Sequence, residues 1–191
     1  MMKIHYVTSN TGKFEEAALI LQPDLLKKAG LELVHTPLHL EEIQGKSPEI
    51  ALHKIAQAYA QLGEACLIDD ISLNCPAIGG LPGPYVRSFL ESIGPDGIAK
   101  LISHYDDKSC QVVCNIGYAT NDGHTMLFEG SVQGAIVHPR GNRLTHTLSW
   151  NAIVEPLGYT QTFAELSLEK ASTISPRYLA LTQFRNHLLN T

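Results

Sequence analysis

The chain has 191 residues, 44% of them apolar, no strong compositional bias and a formal net charge of −5. That length supports one well-buried core, so a single domain over 1–191 is expected. The acidic balance argues against a broad footprint on DNA, RNA or anionic lipid, while leaving room for a local basic pocket that holds a few phosphates.

In chain order, Met1-Met2-Lys3-Ile4-His5-Tyr6-Val7 is too short an apolar run for a signal peptide, and no later stretch reaches membrane-spanning length. A soluble, cytoplasmic protein is expected. Ile4 to Val7 reads as a short strand, and from Lys13 the spacing Phe14, Ala18, Leu21 predicts a helical apolar stripe, so Thr8 to Gly12 joins a strand to a helix. Leu31 to Val34 reads as a second strand, followed by the polar connection Glu41-Glu42-Ile43-Gln44-Gly45. Ser47-Pro48-Glu49 marks a helix start, with Ser47 as N-cap, Pro48 at the first helical position and an acid near the positive end. That helix carries Ala51, Ile55, Ala58 and Leu62 on one face and stops at Gly63, which suits a left-handed cap. Ala65-Cys66-Leu67-Ile68 then predicts a strand buried on both faces that terminates in Asp69-Asp70.

Gly79-Gly80-Leu81-Pro82-Gly83-Pro84 predicts a loop, and Tyr85 onward a helix, broken at Gly94-Pro95 before another with Ile98, Leu101 and Ile102. Cys110 to Thr120 and Thr125 to Glu129 flank the hairpin signal Asn121-Asp122-Gly123. Cys110, Val112, Cys114 and Ile116 share one face at period two; with Cys66 and Cys75, the cysteines lack zinc spacing and read as core thiols. Short strands are expected around Gly134, and the tail from Ser175 reads as a helix with Pro176 first and the stripe Leu181, Phe184, Leu188. The order βαβαβ, then hairpins, then a helix implies a mixed α/β sheet flanked by helices. Ligands in such sheets gather at strand carboxyl ends, where both the Thr8 to Lys13 loop and Asp69-Asp70 would fall.

Thr8-Ser9-Asn10-Thr11-Gly12-Lys13 offers hydroxyls, an amide, helix-terminal N–H groups and an ammonium, all suited to phosphate oxygens, although an Asn-Thr-Gly turn also serves as a plain helix cap. Glu42, Asp69 and Asp70 supply the hard carboxylate oxygens that Mg²⁺ prefers, and one of these acids could orient or deprotonate water; the competing reading is a solvated loop and a capped turn. Lys54, Arg87, Lys170 and Arg177 are candidate cations for the remaining phosphate charge, each equally readable as a surface residue. Trp150 is the sole tryptophan, and beside Asn151 it could stack on a base or simply fill a core.

Together these residues resemble the inosine triphosphate pyrophosphatase family over nearly the whole chain. The resemblance rests on Thr8 through Glu16, Glu42-Ile43-Gln44-Gly45, Asp69-Asp70, Gly79 through Tyr85, Pro139-Arg140-Gly141, Ala164-Glu165-Leu166, Glu169-Lys170 and Arg177. It implies an elongated two-lobed α/β fold with the active site in the cleft between the lobes, a homodimer, and Mg²⁺-dependent hydrolysis between the α- and β-phosphates of ITP, dITP or XTP. By motif position, Lys13 would bind phosphate, Glu42 would bind Mg²⁺, and Asp70 would bind metal or act as base with Asp69 supporting it. Lys54, Arg87, Lys170 and Arg177 would line the nucleotide site. The base end departs from the family's Phe-Gly-Trp/Tyr-Asp-Pro and Ser-His-Arg segments: here stand Leu148-Ser149-Trp150-Asn151-Ala152 and Ser175-Pro176-Arg177. Asn151 can donate where a carboxylate only accepts, and Pro176 offers no polar side chain, so base choice is open. A nucleotide-binding member with altered specificity or lost catalysis is the alternative. No GxGxxG follows a strand to favour a dinucleotide oxidoreductase.

Overall fold

The computed structural model describes residues 1–141 and 149–190. Leu148 of the base-end segment therefore lies outside the described residues.

Strand β1 (Met2–Val7) pairs in parallel with β2 (Leu31–Thr36), from Met2 opposite Leu31 to Val7 opposite Thr36. Helices α1 (Thr11–Leu21) and α2 (Pro23–Lys28) form the crossover. Asn10 caps α1 by accepting the Lys13 N–H; the helix buries Ala17, Ile20 and Leu21, while Phe14 and Ala18 of the predicted stripe are half-buried.

Helix α3 (Ser47–Leu62) buries Ile50, Ala51, Ile55 and Ala58 and ends at Gly63 with φ of 67°. Its N-cap is Lys46, one residue before the expected Ser47. Ser47 is already helical, its hydroxyl accepts a hydrogen bond from Asn115 Nδ2 at 2.9 Å, and the Glu49 carboxylate accepts the Lys46 N–H at 3.0 Å.

Strand β3 (Cys66–Asn74) corrects the sequence reading more deeply, because it runs through Asp69-Asp70 instead of ending there. Ile71 and Leu73 prolong the apolar pattern beyond the acids, and Leu73 and Asn74 pair with the short antiparallel β4 (Pro82–Gly83). Against β1, His5 lies opposite Cys66 and Tyr6 opposite Leu67. The two acids thus sit in the middle of β3, just past the carboxyl end of β1.

Helix α4 (Val86–Ser103) breaks at Gly94, where φ of 69° and ψ of 176° interrupt the helix as the Gly94-Pro95 pair predicts. Strand β5 (Ser109–Ala119) is buried on both faces, and all four cysteines are free and buried, as core thiols are. It turns through Asn121-Asp122-Gly123 into β6 (Thr125–Ile136), a single long strand where separate short ones were expected near Gly134. Strand β7 (Val154–Pro156) pairs antiparallel with its end, Gly134 opposite Pro156; a Cβ on Gly134 would meet the Glu155 carbonyl at 2.5 Å, so only glycine fits. Helix α5 (Leu168–Ile174) precedes α6 (Pro176–Asn190), in which Pro176 comes first and Leu181 and Phe184 are fully buried.

Among the described residues the sheet has seven strands in the order β2-β1-β3-β5-β6-β7, with β4 on β3. This is the mixed α/β sheet that the element order implies. The fold divides into two compact units. Unit 1 holds Met1–Asp70, Cys114–Gly130 and Arg177–Thr191, and unit 2 holds Ile71–Val113 and Ser131–Pro176. Unit 1 contains a core of Val7, Ala51, Ile55, Ala58, Cys66, Ile68 and Ala119. Unit 2 contains a core that includes Leu90, Ile98, Ile102, Val112, Ile153 and Phe163. Truncating the fully buried Ile55 to Ala would cost about 2–5 kcal/mol. No described helix is long and apolar enough to cross a membrane.

Candidate active site

In unit 1 the chain leaves β1 into Thr8-Ser9-Asn10, whose own atoms shape it: the Asn10 N–H donates to Thr8 Oγ1 at 3.1 Å, and the Lys13 N–H donates to Asn10 Oδ1 at 3.2 Å. Ser9, Thr11 and Gly12 are exposed. The first-turn N–H groups of α1 have no intrahelical acceptor, so the loop presents donors and a positive helix end to an incoming anion.

Consecutive residues on a strand point to opposite faces, which separates Asp69 from Asp70. The Asp69 side chain is 1% exposed and receives Lys13 Nζ at 2.9 Å and Arg177 Nε at 2.8 Å, one on each carboxylate oxygen. Arg177 also pairs with Glu16 through Nη1. Burial alone would raise the Asp69 pKa, but Lys13 and Arg177 outweigh it and hold this carboxyl well below its ordinary range. Arg177 is buried too; its desolvation is overcome by Asp69 and Glu16, which keep it firmly charged.

Asp70 faces Lys54. Lys54 Nζ lies 2.9 Å from Asp70 Oδ1 and 2.8 Å from Glu42 Oε1, so one ammonium bridges two carboxylates. The other oxygen, Asp70 Oδ2, is buried with no hydrogen-bond partner. Burial is the main influence on Asp70, and it raises this carboxyl above the usual value despite Lys54. Burial opposes the Lys54 charge, yet Asp70 and Glu42 more than compensate and raise its pKa.

That donor set fits a divalent cation. Asp70 and the half-exposed Glu42 already hold a positive charge between them, a second Asp70 oxygen is unpaired, and hard oxygens suit Mg²⁺. No group of three His, Cys, Asp or Glu ligands is found among the described residues. Two carboxylates suffice for a cation whose remaining ligands are water and substrate phosphate.

The other sequence candidates belong to unit 2. Arg87 is 77% exposed and pairs with Glu91 one turn along α4 at 2.9 Å. Trp150 packs edge-on against Phe163 at 5.2 Å, and Lys170 Nζ lies 5.7 Å from the Tyr159 ring centre. Asn151 donates its backbone N–H to Ser149 Oγ at 3.2 Å. Unit 1 thus brings together Lys13, Asp69 and Arg177 on one face of β3 and Glu42, Lys54 and Asp70 on the other. Sequence reasoning gave no role to Glu16, although its position three residues after Lys13 places both on one helical face. It also passed over His35, whose Nε2 donates to the Thr8 carbonyl at 2.9 Å.

This constellation stands within a match to the model of the Ham1 family that covers residues 4–187. The chain belongs to the Ham1 family. Relatives named inosine triphosphate pyrophosphatase include those of Yarrowia lipolytica, 39% identical over 96% of this chain and 94% of that one, and Mycosarcoma maydis, 38% identical over 96% and 93%. The fold is that of the Ham1 protein of Staphylococcus aureus, with a TM-score of 0.82 at 23% identity and 98% coverage of both chains. A HAM1 protein of Coxiella burnetii gives a TM-score of 0.85 at 22% identity over the full length of both. In this Ham1-family chain the carboxylates, the lysines and Arg177 come from β3, α1, α3, α6 and the connection before α3, so elements distant in sequence meet in one unit.

Proposed function

We propose that this protein is a Mg²⁺-dependent nucleoside triphosphate pyrophosphatase, cytoplasmic and homodimeric, that splits a non-standard purine nucleotide such as ITP, dITP or XTP into monophosphate and pyrophosphate. The observation that carries the reading is Asp70: a buried carboxylate with one oxygen unpaired, raised in pKa, and placed just beyond the end of the strand that delivers the Thr8 to Lys13 loop. The names of its relatives point the same way.

In this reading the loop N–H groups and Lys13 hold phosphate oxygens at the start of α1. Asp70 accepts a proton from the attacking water, for which burial is an asset because it makes the carboxylate a stronger base. Glu42 and Asp70 would hold the cation, which when bound offsets charge developing on the phosphates. Lys54, released from its bridge, turns its ammonium to the substrate. Asp69 keeps Lys13 oriented, and Arg177 anchors Asp69. Arg87, Lys170, Trp150 and Asn151 are the further candidates for nucleotide contact.

The test is a panel of ITP, dITP, XTP, dUTP and the ordinary nucleotides incubated with purified protein and Mg²⁺. Monophosphate and pyrophosphate in equal amounts are expected, fastest from the 6-oxopurines, and their absence from every reaction overturns the proposal. A second reading, relaxed or redirected base choice, is favoured by Pro176. It occupies the first turn of α6, where a proline ring is well tolerated and brings no donor to a base. Comparable turnover of ITP and ATP would support it.

A further inference from the structure

His35 lies on β2, outside the segments on which the family resemblance rests, yet it touches both ends of the Thr8 to Lys13 loop. Its Nε2 is 2.9 Å from the Thr8 carbonyl, where the chain leaves β1. A carbonyl only accepts, so Nε2 carries the hydrogen. The ring also stacks on Phe14, with centroids 4.7 Å apart and planes inclined by 17°, where the loop has become the first turn of α1. Phe14 in turn meets the edge of Tyr6 at 6.1 Å, and Tyr6 is fully buried. The Thr8 N–H donates to the Thr36 carbonyl, the residue beside His35, at 3.3 Å. Between these clamped ends, Ser9 to Gly12 are exposed.

We propose that His35 is a positioning residue for phosphate binding: a side chain that fixes the entry and exit of the anion loop, so that its N–H groups are aimed before the ligand arrives. This deepens the proposed function and rests on its reading of the loop. A loop already held in its bound shape spares the ordering cost of binding, and that saving appears in affinity rather than in the chemical step.

The experiment compares wild type with His35→Leu, which removes bond and stack, His35→Gln, which keeps a donor, and His35→Phe, which keeps the stack. Calorimetry with inorganic pyrophosphate and Mg²⁺ reads the loop without turnover; KM and kcat for ITP read it during catalysis, and thermal melting reports folding. For His35→Leu, Kd for pyrophosphate and KM are expected to rise about tenfold, with kcat within about threefold, and the other two variants should each recover part of the loss. Wild-type affinity for pyrophosphate in all three variants overturns the proposal. So does a fall confined to kcat, or an equal loss in all three that tracks the melting temperature. A wild type that binds pyrophosphate but cleaves no nucleotide removes the catalytic reading and leaves His35 to be decided by calorimetry. A wild type that does not bind pyrophosphate overturns the His35 proposal and leaves the catalytic reading to the nucleotide panel.

Discussion

On one face of β3, Asp69 is closed off: each oxygen has a cation, and the side chain is almost wholly buried. On the other face, Asp70 shares a single ammonium with Glu42 and leaves an oxygen without a partner. One peptide bond separates the two carboxyls, and their pKa values move in opposite directions. A charge fully neutralised by its surroundings holds a structure together, whereas one left partly unsatisfied is available for a ligand, a proton or a cation. In the proposed mechanism the contrast divides labour between a positioning acid and a reacting one.

The largest effect expected from this contrast is on turnover. Asp70→Asn should lower kcat by about 10²–10⁴-fold, as loss of a general base does, with KM changed little. Near-wild-type turnover would show that the unpaired oxygen does no chemistry. Next comes stability. Asp69→Asn leaves Lys13 and Arg177 facing a neutral amide in a buried setting, a loss of about 3–5 kcal/mol, so the melting temperature should drop by on the order of 10 °C. Asp70→Asn should leave it unchanged or raise it, because the ionised Asp70 is disfavoured by burial. Equal melting temperatures for the two variants would erase the distinction.

The pH dependence sharpens the same contrast. The folded Asp69 pKa is depressed, so its stabilisation is fully present above the ordinary aspartate value and is lost as pH falls toward the folded value below it. Acid unfolding followed by circular dichroism should therefore show a steep limb below about pH 4 that Asp69→Asn flattens. Asp70 has the opposite sign, and it must be ionised to accept a proton. In the cation-free protein its raised pKa makes ionisation a cost to stability that falls away as pH drops through the folded value, and Asp70→Asn should remove that dependence from the acid-unfolding curve. The smallest effect belongs to Arg87. An exposed i,i+4 pair contributes about 0.3–0.5 kcal/mol, so Arg87→Met should not shift the melting curve measurably, and a few-fold rise in KM is the expected signature of phosphate contact. An unchanged KM removes Arg87 from the substrate's surroundings.

Much of unit 1 was legible because its punctuation is local. Gly63 and Gly94-Pro95 mark helix limits by backbone geometry alone, and Asn10 announces a cap. The two faces of β3 were also available in principle, since adjacent strand residues always diverge. They were missed because a pair of charges normally ends a buried strand, and only Lys13 and Arg177, 56 and 108 residues away, show how Asp69 is tolerated inside one. His35 was invisible for the same reason: its meaning comes from a carbonyl 27 residues distant. In unit 2, Trp150 and Lys170 revealed in sequence only their types, while their packing on Phe163 and Tyr159 depends on tertiary neighbours.

The tie between Arg177 and Asp69 also bears on how the protein is made. Every residue of unit 2 falls between Ile71 and Pro176, whereas unit 1 gathers three separate stretches and needs the one that begins at Arg177. At about 5–20 residues per second, Asp69 waits roughly 5–20 s on the ribosome for the guanidinium that neutralises it, 108 residues later. Unit 2 has its whole sequence before that moment. The middle of the chain can thus be folding while Asp69 still awaits its last counter-ion.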